Sequence, residues 1–477
     1  MQAKPCPLIG GYLISRGGRT KARSPATRFH RRLPPGWTRW IHTGFFRLTV
    51  VFQELMRVIL TSLGSDGDHF PYIGLGIALR HRGHSVTLVA AAHYESLARS
   101  QDLDFESLLS EAEHDELFGH PNFWHPLKTA PLAARWGVKL IERQYALLSN
   151  LAANPGTVLV ANPAVYAAKL VHEVHGNPLA NLVPQPWLIP TVQAPPVMPH
   201  FDLARWPKPA VRLFWRALDG VGHVLVGRHL NRLRKRLGLP PGRRMFRSWF
   251  SPQLVLGLFP AWYGAPQDDW PPAVQLVGFP RFDGGRMREL PESVQEFCRS
   301  SPPPITFTFG TEMRHSADLF RISAAACATL GRRGILLTKY RDQVPTNLPP
   351  GIIHCDFAPF QKLFPLCAVV VHHGGIGTTA QGLFAGVPQV FLPISFDQMD
   401  NAARVQRLGA GERVSANVAR PELLVAALRR ALEPEVRVRC QIIRDRLARE
   451  ADPFPAAVGS IEKMDEAKGD AKAVVQE

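Results

Sequence analysis

The chain has 477 residues, 45% of them hydrophobic and 20% charged, which is more than one ordinary hydrophobic core accommodates, so two or three domains are expected. No apolar run reaches the ~18 residues of a spanning helix, which excludes an ordinary transmembrane segment. The formal net charge of +17 ordinarily points to nucleic acid or an anionic surface, but no zinc-ligand spacing or aromatic-interleaved recognition module accompanies it, so nucleic acid is not expected as a partner.

Most of that excess sits at the start. Residues 1–53 carry ten Lys and Arg and no Asp or Glu. Residues 1–55 are therefore read as a basic leader of low order: a targeting peptide, a disordered arm, or sequence translated upstream of the true start. The ~7–15-residue apolar core of a secretory signal is missing from it.

From Met56 the pattern changes. "RVILTSLGSDGDHFPYIGLGIALRHRGHSVTLVAA" (57–91) reads as strand, glycine-bearing loop, helix, turn and strand. Pro71 suits a first helical position, Ile73 and Ile77 recur at i, i+4 as do Leu75 and Leu79, and Gly83 suits the residue after the helix. Such a βαβ unit predicts a parallel sheet with right-handed crossovers. "TVLVANP" (157–163) and "NPLANLVPQP" (177–186) read as later strands of the same domain, joined by a helix over 164–176.

Residues 187–250, rich in Pro, Trp and Arg, read as a helical insertion flanking a cleft, with a basic cluster at 228–247. "LVLGLFPAWYG" and "VQLVGFPRFDGG" resume the sheet, and Pro302-Pro303-Pro304 marks a linker. The first domain thus spans 56–300. A second βα domain follows over 301–452, with strands at "ITFTFGT", "GILLTKY", "IIHCDFAP", "AVVVHHGG" and "QVFLPIS", and helices over Ala317 to Arg332 and from about Thr378. Residues 453–477, rich in Ala, Lys and Glu, are expected to fray. Six cysteines lie scattered without a CxxC pair, which suggests neither zinc site nor disulfide framework and fits reduced cytosolic thiols.

"VVVHHGGIGTTAQGLFAGVPQVFLPISFDQMDN" (369–401) concentrates the chemistry. "AVVV" reads as a buried strand, "HHGGIGTT" as the loop at its carboxyl end, and Thr378 or Thr379 as the cap of the next helix. Free N–H groups and the positive dipole end of a helix suit a phosphate or diphosphate. Gly374, Gly375 and Gly377 allow close backbone approach, and a histidine can donate to an anionic oxygen; a plain tight turn is the alternative. Asp397-Gln398, at the end of the following strand, pairs a carboxylate with an amide, a combination that reads vicinal hydroxyls.

"HHGGIGTTAQGLFAGVPQVFLPISFDQMDNA" resembles the donor-binding signature of the GT-B nucleotide-sugar glycosyltransferases, the group that includes plant, antibiotic and sterol enzymes. "GSDGDHFPYIGLGIALRHRGHSVTL" is similar to that group's acceptor-domain opening, while "FPAWYGAPQDDWPPAVQLVGFPRFDGG" and "FDLARWPKPAVRLFWRAL" resemble the bacterial rhamnolipid rhamnosyltransferase. The resemblance covers roughly residues 56 to 450. It implies an α/β GT-B fold of two Rossmann-like domains facing each other across a cleft, and inverting, metal-independent transfer of a hexosyl group, rhamnosyl or glucosyl, to a hydroxyl of a hydrophobic or lipid-like acceptor. dTDP-rhamnose or UDP-glucose would be the donor substrate, with no cofactor.

Residue by residue, the resemblance gives Asp68 the role of general base, with His69 as the neighbouring alternative; capping the helix near Phe70 is Asp68's bland role. It gives donor contacts to Gly310, Thr311, Phe357 (on the nucleobase), His372 or His373 (on the diphosphate), the loop Gly374, Gly375, Gly377 and Thr378, and Asp397 with Gln398. Gln381 stands where many relatives carry a ribose-binding Glu. Trp187, Trp206, Trp215 and Trp249 fit an apolar acceptor wall or ordinary core. A natural-product or sterol glucosyltransferase and a nucleotide-sugar epimerase are the competing activities, and the Arg cluster suits peripheral contact with anionic lipid on the inner face of the membrane. A partner subunit is not legible.

Overall fold

The computed structural model describes residues 55–125, 128–199, 201–242, 248–282, 284 and 289–473. The expectations for the leader, for Cys6 and for the basic residues 243–247 lie outside them.

Strands β1 (Arg57–Thr61), β2 (Ser85–Ala91), β3 (Asp104–Leu109), β4 (Thr157–Ala161), β5 (Leu179–Val183), β6 (Leu254–Gly257) and β7 (Val274–Leu276) form a seven-stranded sheet. Its order is β3-β2-β1-β4-β5-β6-β7, and its pairings are parallel. Strands β8 (Ile305–Thr308), β9 (Gly334–Leu337), β10 (Ile352–Cys355), β11 (Val369–His372), β12 (Gln389–Phe391) and β13 (Gly411–Arg413) form a six-stranded sheet in the order β10-β9-β8-β11-β12-β13, again parallel.

Helices cover both faces of such sheets, which is why β4 and β5 are buried at every position. Alternation across the pleat sends Val58 and Leu60 into one core cluster and Ile59 into the other. Strand order reverses between β1 and β4 and between β8 and β11, and the crevices beyond those carboxyl ends are where ligands of doubly wound sheets bind. Helices Asp66–His81 and Ile376–Ala385 start there and meet at their first turns: a Cβ on Gly377 would lie 3.6 Å from the Gly67 Cα.

Three local expectations are corrected. Helix Asp66–His81 begins before Pro71, which therefore sits inside the helix and leaves the Gly67 carbonyl without its i+4 donor. Ser65 is its N-cap, so an earlier cap than proline statistics suggest sets the start. Helix Ile376–Ala385 is capped by Gly375 rather than by a threonine, and the Thr379 hydroxyl instead donates to the Gly375 carbonyl at 2.9 Å.

Over its described residues the tail is helical rather than frayed. Pro453–Ala473 is a helix that sends Phe454, Ala457, Val458, Ile461 and Met464 into the core of the N-terminal lobe. Glu462 on its other edge binds Arg82 at 2.5 Å and His84 at 2.9 Å. The i, i+3, i+4, i+7 apolar spacing beneath the Ala/Lys/Glu composition accounts for it. The basic insertion forms helices Lys208–Gly222 and Arg228–Arg236, but Arg234 is buried against Glu173 at 2.6 Å and the Tyr166 hydroxyl at 2.9 Å, so part of that charge is structural. Among the described residues no helix is long and apolar enough to cross a membrane, and Cys298, Cys327, Cys355, Cys367 and Cys440 are free and buried.

Candidate active site

A cavity of about 990 Å³ lies between the lobes, lined from the N-terminal side by residues 63–68 and from the C-terminal side by residues 308–313, 356–360, 375–378 and 396–398, with His373 and Gln381. Asp68 stands on its floor. The Asp68 carboxylate accepts the Ser65 N–H at 3.0 Å and the Ser65 hydroxyl at 3.3 Å, closing a capping box from the third helical position. Capping and cleft exposure thus coexist at one side chain. Burial lifts its carboxyl from 3.8 to about 6, against the two Ser65 hydrogen bonds.

Gly64 makes this possible. At φ +139° a Cβ would lie 2.2 Å from the Asp68 Oδ2, so any side chain there would occupy the carboxylate's own place. Ser65, with Gly64 behind it, therefore fixes the Asp68 carboxylate; "GSDGD" carried the signal as a cap followed three residues later by an acid. His69 does not reach the cleft: its Nδ1 lies 3.0 Å from the Ser65 carbonyl, its ring stacks on Tyr94 at 4.1 Å, and burial lowers it to about 4.

The two histidines of the glycine loop separate. His372, the last residue of β11, is fully buried; its Nε2 bonds Gln389 Oε1 at 2.9 Å and its Nδ1 accepts the Gly374 N–H at 3.2 Å. His373 lines the cavity between Gly310 and Gly375, where added Cβ atoms would fall 3.0 Å from its Cε1 and 2.7 Å from its Nε2. Those two glycines make room for the ring. Burial lowers His373 to about 4, so the ring is neutral near pH 7 and carries a single N–H to donate. Its Nδ1 has no protein hydrogen-bond partner.

Gly374 (φ +99°) faces the Gln398 backbone and its carbonyl accepts Asn401 Nδ2 at 2.9 Å, so it braces the loop rather than lining the cavity. Gly377, Thr378 and Gln381 line the cavity along helix Ile376–Ala385, whose first turn carries N–H groups without partners inside the helix. Thr311 takes the Tyr340 hydroxyl on its carbonyl at 3.0 Å, and Phe357 is exposed at the cavity edge. Asp397 receives Asn401 Nδ2 at 2.6 Å; burial first, and then the charge of Asp68 across the cleft, lift its carboxyl to about 7. Gln398 has its side-chain oxygen committed to the Ile394 and Ser395 N–H groups at 2.8 and 3.0 Å, so its amide nitrogen is what remains to donate. Phe396 holds that turn at φ +56° and packs on Phe123 and Trp124 of the opposite lobe at 5.5 and 5.8 Å.

From the N-terminal lobe Trp187, Trp215 and Trp249 line the cavity, together with Phe118, Phe123, Trp124, Trp136 and Leu140. Trp206 does not: it is 41% exposed and stacks on Phe201 at 5.4 Å. Much of the apolar wall therefore comes from residues 117–141, which sequence reading had left unassigned.

Two parallel-sheet lobes closing over one cleft, with helix N-termini on both sides, define the GT-B class of enzymes. Residues 58–192 match the family described as the glycosyltransferase family 28 N-terminal domain, and residues 334–464 match the erythromycin biosynthesis protein CIII-like C-terminal domain. An O-mycaminosyltylonolide 6-deoxyallosyltransferase from Streptomyces fradiae is 30% identical over 420 residues, covering 83% of this chain and 94% of that protein. Among solved structures, the glycotransferase of kitacinnamycin superposes with a TM-score of 0.66 at 19% identity, over 86% of this chain and 99% of its own. The glycosyltransferase VinC, in complex with DTDP, gives 0.62 at 18% identity, over 86% and 100%. This chain belongs to the glycosyltransferase family.

Proposed function

We propose that the protein transfers a hexosyl group from a nucleoside-diphosphate sugar to a hydroxyl of a hydrophobic acceptor, with inversion. The observation that carries this is the placement of Asp68 and Asp397 on opposite walls of one cleft, close enough that the charge of one raises the pKa of the other. The donor base stacks on Phe357 and its ribose meets Gln381. The diphosphate lies at the start of helix Ile376–Ala385 and takes the His373 N–H; Asp397 and the Gln398 amide nitrogen hold sugar hydroxyls. Asp68 takes the acceptor proton as its oxygen bonds the anomeric carbon, and the bond to the diphosphate breaks with its electron pair leaving on the nucleotide. Helix N–H groups and the imidazole supply the stabilisation of that leaving charge, so the step needs no metal.

The DTDP in the VinC structure supports thymidine nucleotides. The similarity of residues 201–218 and 259–285 to the rhamnolipid enzyme supports rhamnose and a hydroxyacyl lipid, and the Streptomyces relative supports a hydrophobic natural product, with glucosyl transfer from UDP as the second assignment. Arg228, Arg232 and Lys235 supply charge for docking on anionic lipid, which vesicle cosedimentation that weakens with salt would report.

The test is mass-spectrometric detection of glycoside from dTDP-rhamnose, dTDP-glucose or UDP-glucose with hydroxylated lipid and polyketide acceptors. Product formed by wild type and lost ~10²–10⁴-fold in Asp68→Asn supports the proposal. Donor converted at the same rate without acceptor would replace it with an epimerase.

A further inference from the structure

Beside the cleft floor the two lobes bring together a second group of side chains that the transfer reaction does not use. His93 lies in the single turn Ala92–Tyr94 after β2, His114 in helix Glu111–Phe118 after β3, and Glu312 in the loop after β8 of the other lobe. One donor atom from each lies within 4.8 Å of the others. Among the described residues this is the one cluster of three or more such side chains.

Hydrogen bonding within the protein does not account for the cluster. The Nε2 atoms of His93 and His114 are both buried without a hydrogen-bond partner. His114 is 3% exposed and Glu312 6% exposed, so water does not satisfy them readily and each orphan is costly. The Nδ1 of His114 lies 3.8 Å from the Asp115 carboxylate, which itself pairs with Arg314 at 2.5 Å. The rings are also held by packing: His93 on Tyr94 at 4.0 Å, His114 on Phe118 at 4.5 Å, and the two histidines edge-to-face at 4.3 Å.

We propose that His93, His114 and Glu312 form a binding site for a first-row divalent cation of the Zn²⁺ or Co²⁺ type, shared between the lobes. Two imidazoles and a carboxylate are the donor set such ions take, and they leave a fourth position open. His93 and Glu312 both line the cavity. Asp66 and Asp115 add negative charge around His93, opposed by Lys339, whose Nζ lies 3.9 Å from Glu312 Oε1.

Bonds of ~2.0–2.2 Å to a tetrahedral ion require donor atoms closer than 4.8 Å, so the ion draws Glu312 toward the N-terminal lobe. Glu312 adjoins Gly310 and Thr311, so ion binding ties the loop beside His373 to the opposite lobe. The ion is a fastener between lobes and takes no part in the transfer step described above.

The experiment is titration of the metal-stripped full chain with Co²⁺, read by the visible absorption of tetrahedral Co²⁺, followed by displacement with Zn²⁺ and by thermal stability with and without chelator. One equivalent should bind, Zn²⁺ should displace it, and affinity should fall at least tenfold in His114→Ala and in Glu312→Gln, the second being the milder test of folding. No tetrahedral spectrum, or affinity unchanged in both variants, would overturn the site, the latter placing the ion on other histidines. Because the ion itself is read, neither result depends on the sugar-transfer assignment.

Discussion

Replacing each histidine of the glycine loop by alanine should produce opposite phenotypes. His372→Ala removes the partner of Gln389 Oε1 and of the Gly374 N–H, both in a fully buried setting. Each stranded group costs about 1–3 kcal/mol, and the lost ring adds a cavity term, so destabilisation of roughly 3–5 kcal/mol is expected. His373→Ala strands nothing at Nδ1, which has no protein partner, and it empties space at the cavity wall; its cost to folding should be smaller. What it loses is one hydrogen bond to a charged diphosphate, worth about 1.5–3 kcal/mol, or roughly 10–150-fold in nucleotide affinity. Urea denaturation and calorimetric titration with dTDP separate the two effects. If His372→Ala stays stable yet loses the nucleotide, or His373→Ala unfolds readily but binds as wild type, the division of labour is wrong.

Other outcomes follow from the same geometry. Asp68 acts as a base only when ionised, so with its carboxyl at about 6 the transfer rate should climb as pH rises through about 6 and level off above 7; a flat profile between pH 5 and 8 contradicts that role. Asp397 is raised to about 7, so the folded chain holds a proton that the unfolded chain releases between about 4 and 7, and its contribution to stability falls as pH rises through that window. Asp397→Asn should therefore gain on wild type by roughly 2 kcal/mol between pH 5 and pH 8 in paired denaturation curves, and a constant gap would rule this out. Phe454→Ala should cost about 3–5 kcal/mol, because the ring fills the space over Gly74 in the N-terminal core; a cost below about 1 kcal/mol would mean the terminal helix is a loose appendage.

The parallel architecture was legible because buried strands are continuous apolar runs and the intervening helices carry glycine and 3.6-residue punctuation, as at 57–91 and 369–391. Asp397 was legible as a cleft residue because it follows a strand end, where a doubly wound sheet opens, whereas Asp68 and Gln381 were reached through the resemblance of their motifs. Whether His372 or His373 faces the cavity was not legible, since adjacent residues at a strand's end point opposite ways and only the side chains around them decide. Trp206 misled because aromatic composition does not say which face of an irregular segment is covered. The wall from residues 117–141 and the cluster of His93, His114 and Glu312 escaped notice because they join segments far apart in the chain, one of them across the two lobes.

The most direct measurement is thermal stabilisation of the full chain by dTDP, UDP, GDP and ADP in metal-free buffer, with His373→Ala alongside. A nucleotide at about 100 times its dissociation constant adds roughly 2.7 kcal/mol. Stabilisation by dTDP above the others, lost in His373→Ala, is the predicted result; a folded protein that none of the four stabilises would contradict the claim that this cleft holds a nucleoside diphosphate.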